Sequence, residues 1–241
     1  MADRRAVPSD SPLARDLITA IKGGDRDRLG ALLATKPELA TGVITEPDGG
    51  ARTLLHVLAD APGHRPRAAA TVGLLVAAGA DLNAAAVGMW HSEAPLHWAA
   101  SNNDTVLIDA LLDAGADIEC SGSSIGGGPP VQSALGYGQW RAVRRLFERG
   151  ATATLSVCVV LGLTERAADI IAAGGVTGED LNMSLWNACR VGDVVLARLL
   201  LSRGADPDWR APWSGQAPAD IAAEAGQQHL VDWLAANGSA R

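Results

Sequence analysis

The stretch Ala94-Pro-Leu-His-Trp-Ala-Ala100, running on to Leu111-Leu-Asp-Ala-Gly-Ala-Asp117, constrains this chain more than any other. Pro95 suits the first position of a helix, where a missing N–H costs nothing. Ser101-Asn-Asn-Asp104 is a polar turn, Val106 to Leu112 supplies a second apolar helix, and Gly115 ends it where a left-handed residue is needed. The ending recurs as Gly79-Ala-Asp81, Gly150-Ala151 and Gly204-Ala-Asp206. The opening recurs in altered form as Thr53-Leu-Leu-His56, Pro129-Pro-Val-Gln132 and Ala217-Pro-Ala-Asp220. Short helix pairs of this kind cannot bury their apolar faces alone, so they stack on their neighbours.

The Ala94–Ala100 stretch resembles the ankyrin repeat, whose signature is T-P-L-H-x-A at a period near 33 residues, with Ala94 standing in for the Thr. The resemblance implies an all-α fold, an ankyrin-repeat solenoid of about seven stacked helix–turn–helix units. The units start near residues 15, 53, 94, 129, 153, 183 and 217, so that 12–241 form a single domain behind a disordered leader, 1–11. It also implies that His56 and His97 hydrogen-bond within their own and neighbouring turns. The residue after the signature histidine faces a concave groove, which here means Val57, Trp98, Ser133, Asn187 and Val157. Connections project as fingers, and the usual role of the fold is protein–protein recognition. Gln132 takes the histidine position in the fourth unit and Trp186 in the sixth.

The 241 residues are 48% hydrophobic, enough for a continuous core packed mainly by Ala and Leu. Aromatics are few and unbalanced, with seven Trp against one Phe and one Tyr. A net charge of −7 argues against nucleic acid, because phosphate binding needs a basic face. Cys120, Cys158 and Cys189 are too few and too far apart for a disulfide framework or a zinc pattern, which fits a reducing cytoplasm. The amino terminus lacks the apolar run of a signal peptide, and no stretch approaches the ~20 apolar residues of a membrane span.

Unit lengths are irregular. His56 to Gly79 spans 23 residues, whereas His97 to Gly115 spans 18. The extra length falls in Ala61-Pro-Gly-His-Arg-Pro-Arg67, whose prolines and glycine break a helix. The connections 84–93, 118–128 and 207–216 are also long, and loops carried on a rigid scaffold are where function concentrates.

Two sets of candidates follow. Trp90, Trp98, Tyr137, Trp186, Asn187, Trp209 and Trp213 supply contact surface for a protein partner or a small apolar molecule. His64, His91 and Glu93, with Asp60, are the residue types of an acid–base site, and they sit on loops of adjacent units. Converging on one pocket, they suit an isomerase, hydratase or cyclase. No cofactor motif stands out: Ile125-Gly-Gly-Gly-Pro-Pro130 lacks the G-K-[ST] ending of a phosphate loop, and its prolines remove amide donors. No metal site is expected, and no membrane or nucleic-acid partner.

Overall fold

A computed structural model describes residues 5–88 and 92–237. Fourteen α-helices lie among them, and they fall into consecutive pairs. In the first compact unit, Met1–Thr152, the helices are α1 (Pro12–Gly23), α2 (Arg26–Thr35), α3 (Leu54–Ala59), α4 (Ala68–Ala77), α5 (Pro95–Ser101), α6 (Thr105–Asp113), α7 (Pro130–Gly136) and α8 (Trp140–Glu148). Each odd-numbered helix packs on the even one that follows. Along the chain, α1, α3, α5 and α7 pack in succession, as do α2, α4, α6 and α8. The second unit, Ala153–Arg241, repeats the plan with α9 (Leu155–Val160), α10 (Thr164–Ala173), α11 (Gly178–Val191), α12 (Val194–Ser202), α13 (Pro218–Glu224) and α14 (Gln228–Asn237). There α9, α11 and α13 pack in succession.

Local chemistry sets these boundaries. Pro12, Pro95, Pro130 and Pro218 open their helices. Asp25, Asp104 and Asp193 cap the second helix of their pairs by accepting backbone N–H groups three residues on, from Arg28, Leu107 and Leu196. Gly79, Gly115, Gly150 and Gly204 lie just beyond α4, α6, α8 and α12 with φ of 96°, 101°, 101° and 95°, values that a side chain resists. One stop signal is thus used four times. The sixth pair departs from its expected start near residue 183. Thr177 and Asp180 form a capping box, so α11 begins at Gly178 and runs for 14 residues.

Packing is carried by aliphatic residues from successive pairs. In the first unit Leu17, Ile21, Leu54, Leu55, Leu58, Leu75, Leu96, Leu107, Ile108 and Leu111 are fully buried. In the second, Leu185, Leu196, Leu200 and Leu230 form the centre, together with Cys158 and Cys189.

A small sheet was not anticipated. β1 (Ala6–Pro8) runs parallel to β2 (Val43–Thr45), which pairs antiparallel with β3 (Ala51–Thr53). β1 lies inside the stretch expected as a disordered leader. Val7 is buried there, and Ser11 caps α1 by accepting the Ala14 N–H. With three residues per strand there is too little alternation for a sequence pattern to reveal. Val87 and Ala51 exchange backbone hydrogen bonds, which ties the connection after α4 to the edge of β3.

Candidate functional site

The two histidines at the opening of α3 and α5 act as struts. The Ala94 N–H donates to His97 Nδ1 at 3.1 Å, so that nitrogen holds its lone pair and Nε2 carries the proton, which it donates to the Gly128 carbonyl at 3.2 Å. The Thr53 N–H and His56 Nδ1 are 3.2 Å apart, and His56 Nε2 lies 2.9 Å from the Glu93 carbonyl. Each imidazole therefore ties the start of its own helix to the connection that leads into the next pair. Burial pushes the His97 pKa below its ordinary 6.5, against the opposing pull of the Gly128 hydrogen bond and the Glu93 charge. Trp98 stands edge-on to His56 at 4.9 Å between ring centroids, and only 9% of it is exposed.

Glu93 is 7% exposed, and its carboxylate accepts the Ser124 N–H at 2.8 Å, pinning the glycine-rich connection. The inserted loop, Asp60 to Arg67, occupies eight residues between α3 and α4, where Asn102 to Asp104 suffice between α5 and α6. Asp60 sits at its base, 2.7 Å from Lys22 Nζ and 3.9 Å from Arg52. The Arg65 guanidinium donates to the carbonyls of Asp60 and Ala61, each at 3.0 Å. At the tip, the His64 N–H donates to Asp104 at 2.5 Å, and the His64 ring, 60% exposed, lies 3.8 Å from the same carboxylate. Asp60, His64 and Glu93 thus each have partners of their own. Trp90 and His91 lie outside the described residues. Tyr137 is exposed in the turn between α7 and α8.

The second unit gathers three tryptophans. Trp186, on α11, is 5% exposed, and its Nε1 is buried without a hydrogen-bond partner among the described residues. Trp213 meets it edge-on at 5.6 Å and 82°, and meets Trp209 at 6.0 Å and 65°. The Arg190 guanidinium, one helical turn beyond Trp186, lies 5.4 Å from the Trp186 ring centre. Trp209 Nε1 donates to Glu179 at the start of α11, at 3.2 Å. The connection that carries Trp209 and Trp213 folds into a closed finger: the Ala211 N–H donates to the Gln216 carbonyl at 3.0 Å, and the Gly215 N–H to the Ala211 carbonyl at 2.7 Å. Arg210 holds its base by donating to Gly215 O and pairing with Asp220 at 3.4 Å. Trp213, at the tip, is 53% exposed.

Residues 91–120 match the ankyrin repeat family model. No curated protein matches the chain. The matched segment holds α5, α6 and the Gly115-Ala-Asp117 ending, the same stretch whose His97 strut was described above.

Within and around the matched segment, the positions expected to face a groove are buried instead. Val57, Ser133 and Val157 are fully buried and Asn187 nearly so. Successive first helices pack directly on one another, α3 on α5, α5 on α7 and α9 on α11, and the Ser133 hydroxyl bonds Ser123 in the preceding connection. Trp98 is itself only 9% exposed. Sequence reasoning placed Trp186, Trp209 and Trp213 among its candidates but missed Glu179 and the stacking role of Arg190. The spacing of Arg190 from Trp186, four residues along a helix, is the signal that was available.

Burial disfavours the thiolate form at all three cysteines. Burial pushes the Cys189 thiol up to about 12 and the Cys120 thiol to about 11, and raises Cys158. A shallow open depression, formed by Val159–Gly162 and Val191–Val195 at the turns of the fifth and sixth pairs, is lined by aliphatic groups with Asp193 as its one charge.

Proposed function

We propose that all seven helix pairs are ankyrin repeats, and that the chain is a binding module whose contact surface is the tryptophan finger of the second unit. The carrying observation is Trp213: a large aromatic side chain, more than half exposed, on a hydrogen-bonded finger and braced by T-shaped contacts with two further indoles. Exposed Trp on a rigid support offers a large contact area at little ordering cost. The matched repeat at 91–120 supports a scaffold whose general use is recognition of other proteins. A protein partner fits better than a small apolar molecule, because Trp213 stands on an open finger and not in an enclosed cavity.

The acid–base reading, an isomerase, hydratase or cyclase using His64, His91, Glu93 and Asp60, has less behind it. The described members of that set are engaged in holding loops: Asp60 by Lys22, Glu93 by Ser124 and His64 by Asp104.

The test is affinity for peptides selected by display against the whole chain. Replacing both Trp209 and Trp213 by Ala should weaken binding at least tenfold, in line with ~2 kcal/mol for a hot-spot residue. Trp98→Ala should lower stability and leave the affinity of the folded protein unchanged. Selected peptides indifferent to the double variant would remove the reading.

A further inference from the structure

Within the tryptophan surface the three indoles are not equivalent. The Trp186 ring already carries a cation, the Arg190 guanidinium at 5.4 Å. Trp209 spends its N–H on the Glu179 carboxylate. Trp213 is the exposed member, and no cation lies over it among the described residues. An indole face is electron-rich and attracts guanidinium or ammonium groups.

Carboxylates of complementary sign lie in the same part of the second unit. Glu179 touches Trp209, whose ring is the neighbour of Trp213. Asp206 and Asp208 lie in the same connection, with the Asp208 N–H donating to Asp206 at 3.0 Å. Glu179, Asp206 and Asp208 make no ion pair among the described residues, whereas Arg210, the nearest base in the finger, is taken up by Asp220 and Gly215 O. The connection that carries the exposed Trp213 ring therefore also carries Asp206 and Asp208, which make no ion pair among the described residues, and Glu179 stands against the neighbouring indole.

We infer that Trp213 and Glu179 together receive an arginine or lysine side chain from a basic segment of a partner protein, the cation stacking on the indole and its charge balanced by the carboxylate. This rests on the binding-module reading above and narrows it to one class of partner. A guanidinium suits the site better than an ammonium, being planar, weakly hydrated and able to stack and to pair at once.

The test uses short random peptides displayed against the full chain, keeping those whose affinity drops in Trp213→Ala. These peptides should be enriched in Arg and Lys and should bind more weakly as salt rises. Changing the basic residue of a selected peptide to Gln should weaken it about 2- to 30-fold, the span of 0.5–2 kcal/mol for a cation on an aromatic ring. Trp213→Phe should fall between wild type and Trp213→Ala, and Glu179→Gln should slow association. If the Trp213-dependent peptides are neutral or acidic, or indifferent to salt, the basic-partner inference fails while the tryptophan surface stands. If no peptide depends on Trp209 or Trp213, both fail.

Discussion

His97 shows how much one side chain settles here. Its Nδ1 must stay unprotonated to accept the Ala94 N–H, and its Nε2–H reaches the Gly128 carbonyl 31 residues away. Its folded pKa is depressed below 6.5 by burial, so the unfolded chain binds the proton more readily. The stability it contributes is therefore fully present above about pH 6.5 and is lost as pH falls below that value toward the folded pKa. Denaturant unfolding should show a stability that declines from pH 7 to pH 5, with a slope of up to ~1.4 kcal/mol per pH unit from this group. His97→Gln should remove that part of the slope; an unaltered pH profile in the variant would count against the strut. Asp104, buried at the start of α6, bonds both the Leu107 and His64 N–H groups. Asp104→Ala should cost about 1–3 kcal/mol by thermal or denaturant melting, since it removes a cap and leaves a second donor unmet.

Between single residues and the whole lie the helix pairs, and here the sequence was most informative. The Gly-Ala-Asp endings and the proline openings located the pairs because each is a local signal, a left-handed glycine or a missing N–H. The long second unit was legible too, since 23 residues against 18 left only the proline-rich stretch to hold the excess. What the loop does was not legible. It lies against the first turn, where a Cβ on Gly24 would come within 2.5 Å of the Pro66 carbonyl, and against Asp104 in the third pair. Both contacts join residues about 40 positions apart, a separation no local pattern reports. Gly24 also has a φ of 67°, so Gly24→Ala should destabilise by more than the ~1 kcal/mol of ordinary backbone strain and loosen the loop, measurable as faster hydrogen exchange at Gly63 and His64. Leu111 and Leu200, both fully buried on second helices, should each cost ~2–5 kcal/mol when cut to Ala. Melting like the wild type in either variant would mean that the side chain is not packed as described.

Across the molecule, scaffold and surface obey different rules of legibility. Aliphatic periodicity and repeated stops mark the scaffold, because every pair meets the same physical requirement to bury one face. The surface is marked by departures from that regularity: seven Trp in a chain with one Phe and one Tyr, and long connections before the third and last pairs. Trp209 and Trp213 are close in sequence, but Trp186 joins them only through the fold, and Glu179 is 30 residues from the indole it meets. The candidate acid–base residues show the converse, for residue types suited to proton transfer serve as loop ties when a backbone N–H or a lysine stands opposite. The claim that joins the two levels is that partners dock on the tryptophan finger. Its most direct test follows the indole N–H resonances of the whole chain while a display-selected peptide is added. The Trp209 and Trp213 signals should move with saturation while the Trp98 signal stays in place; movement at Trp98 or at the His64 amide, with Trp209 and Trp213 unchanged, would contradict docking on the finger.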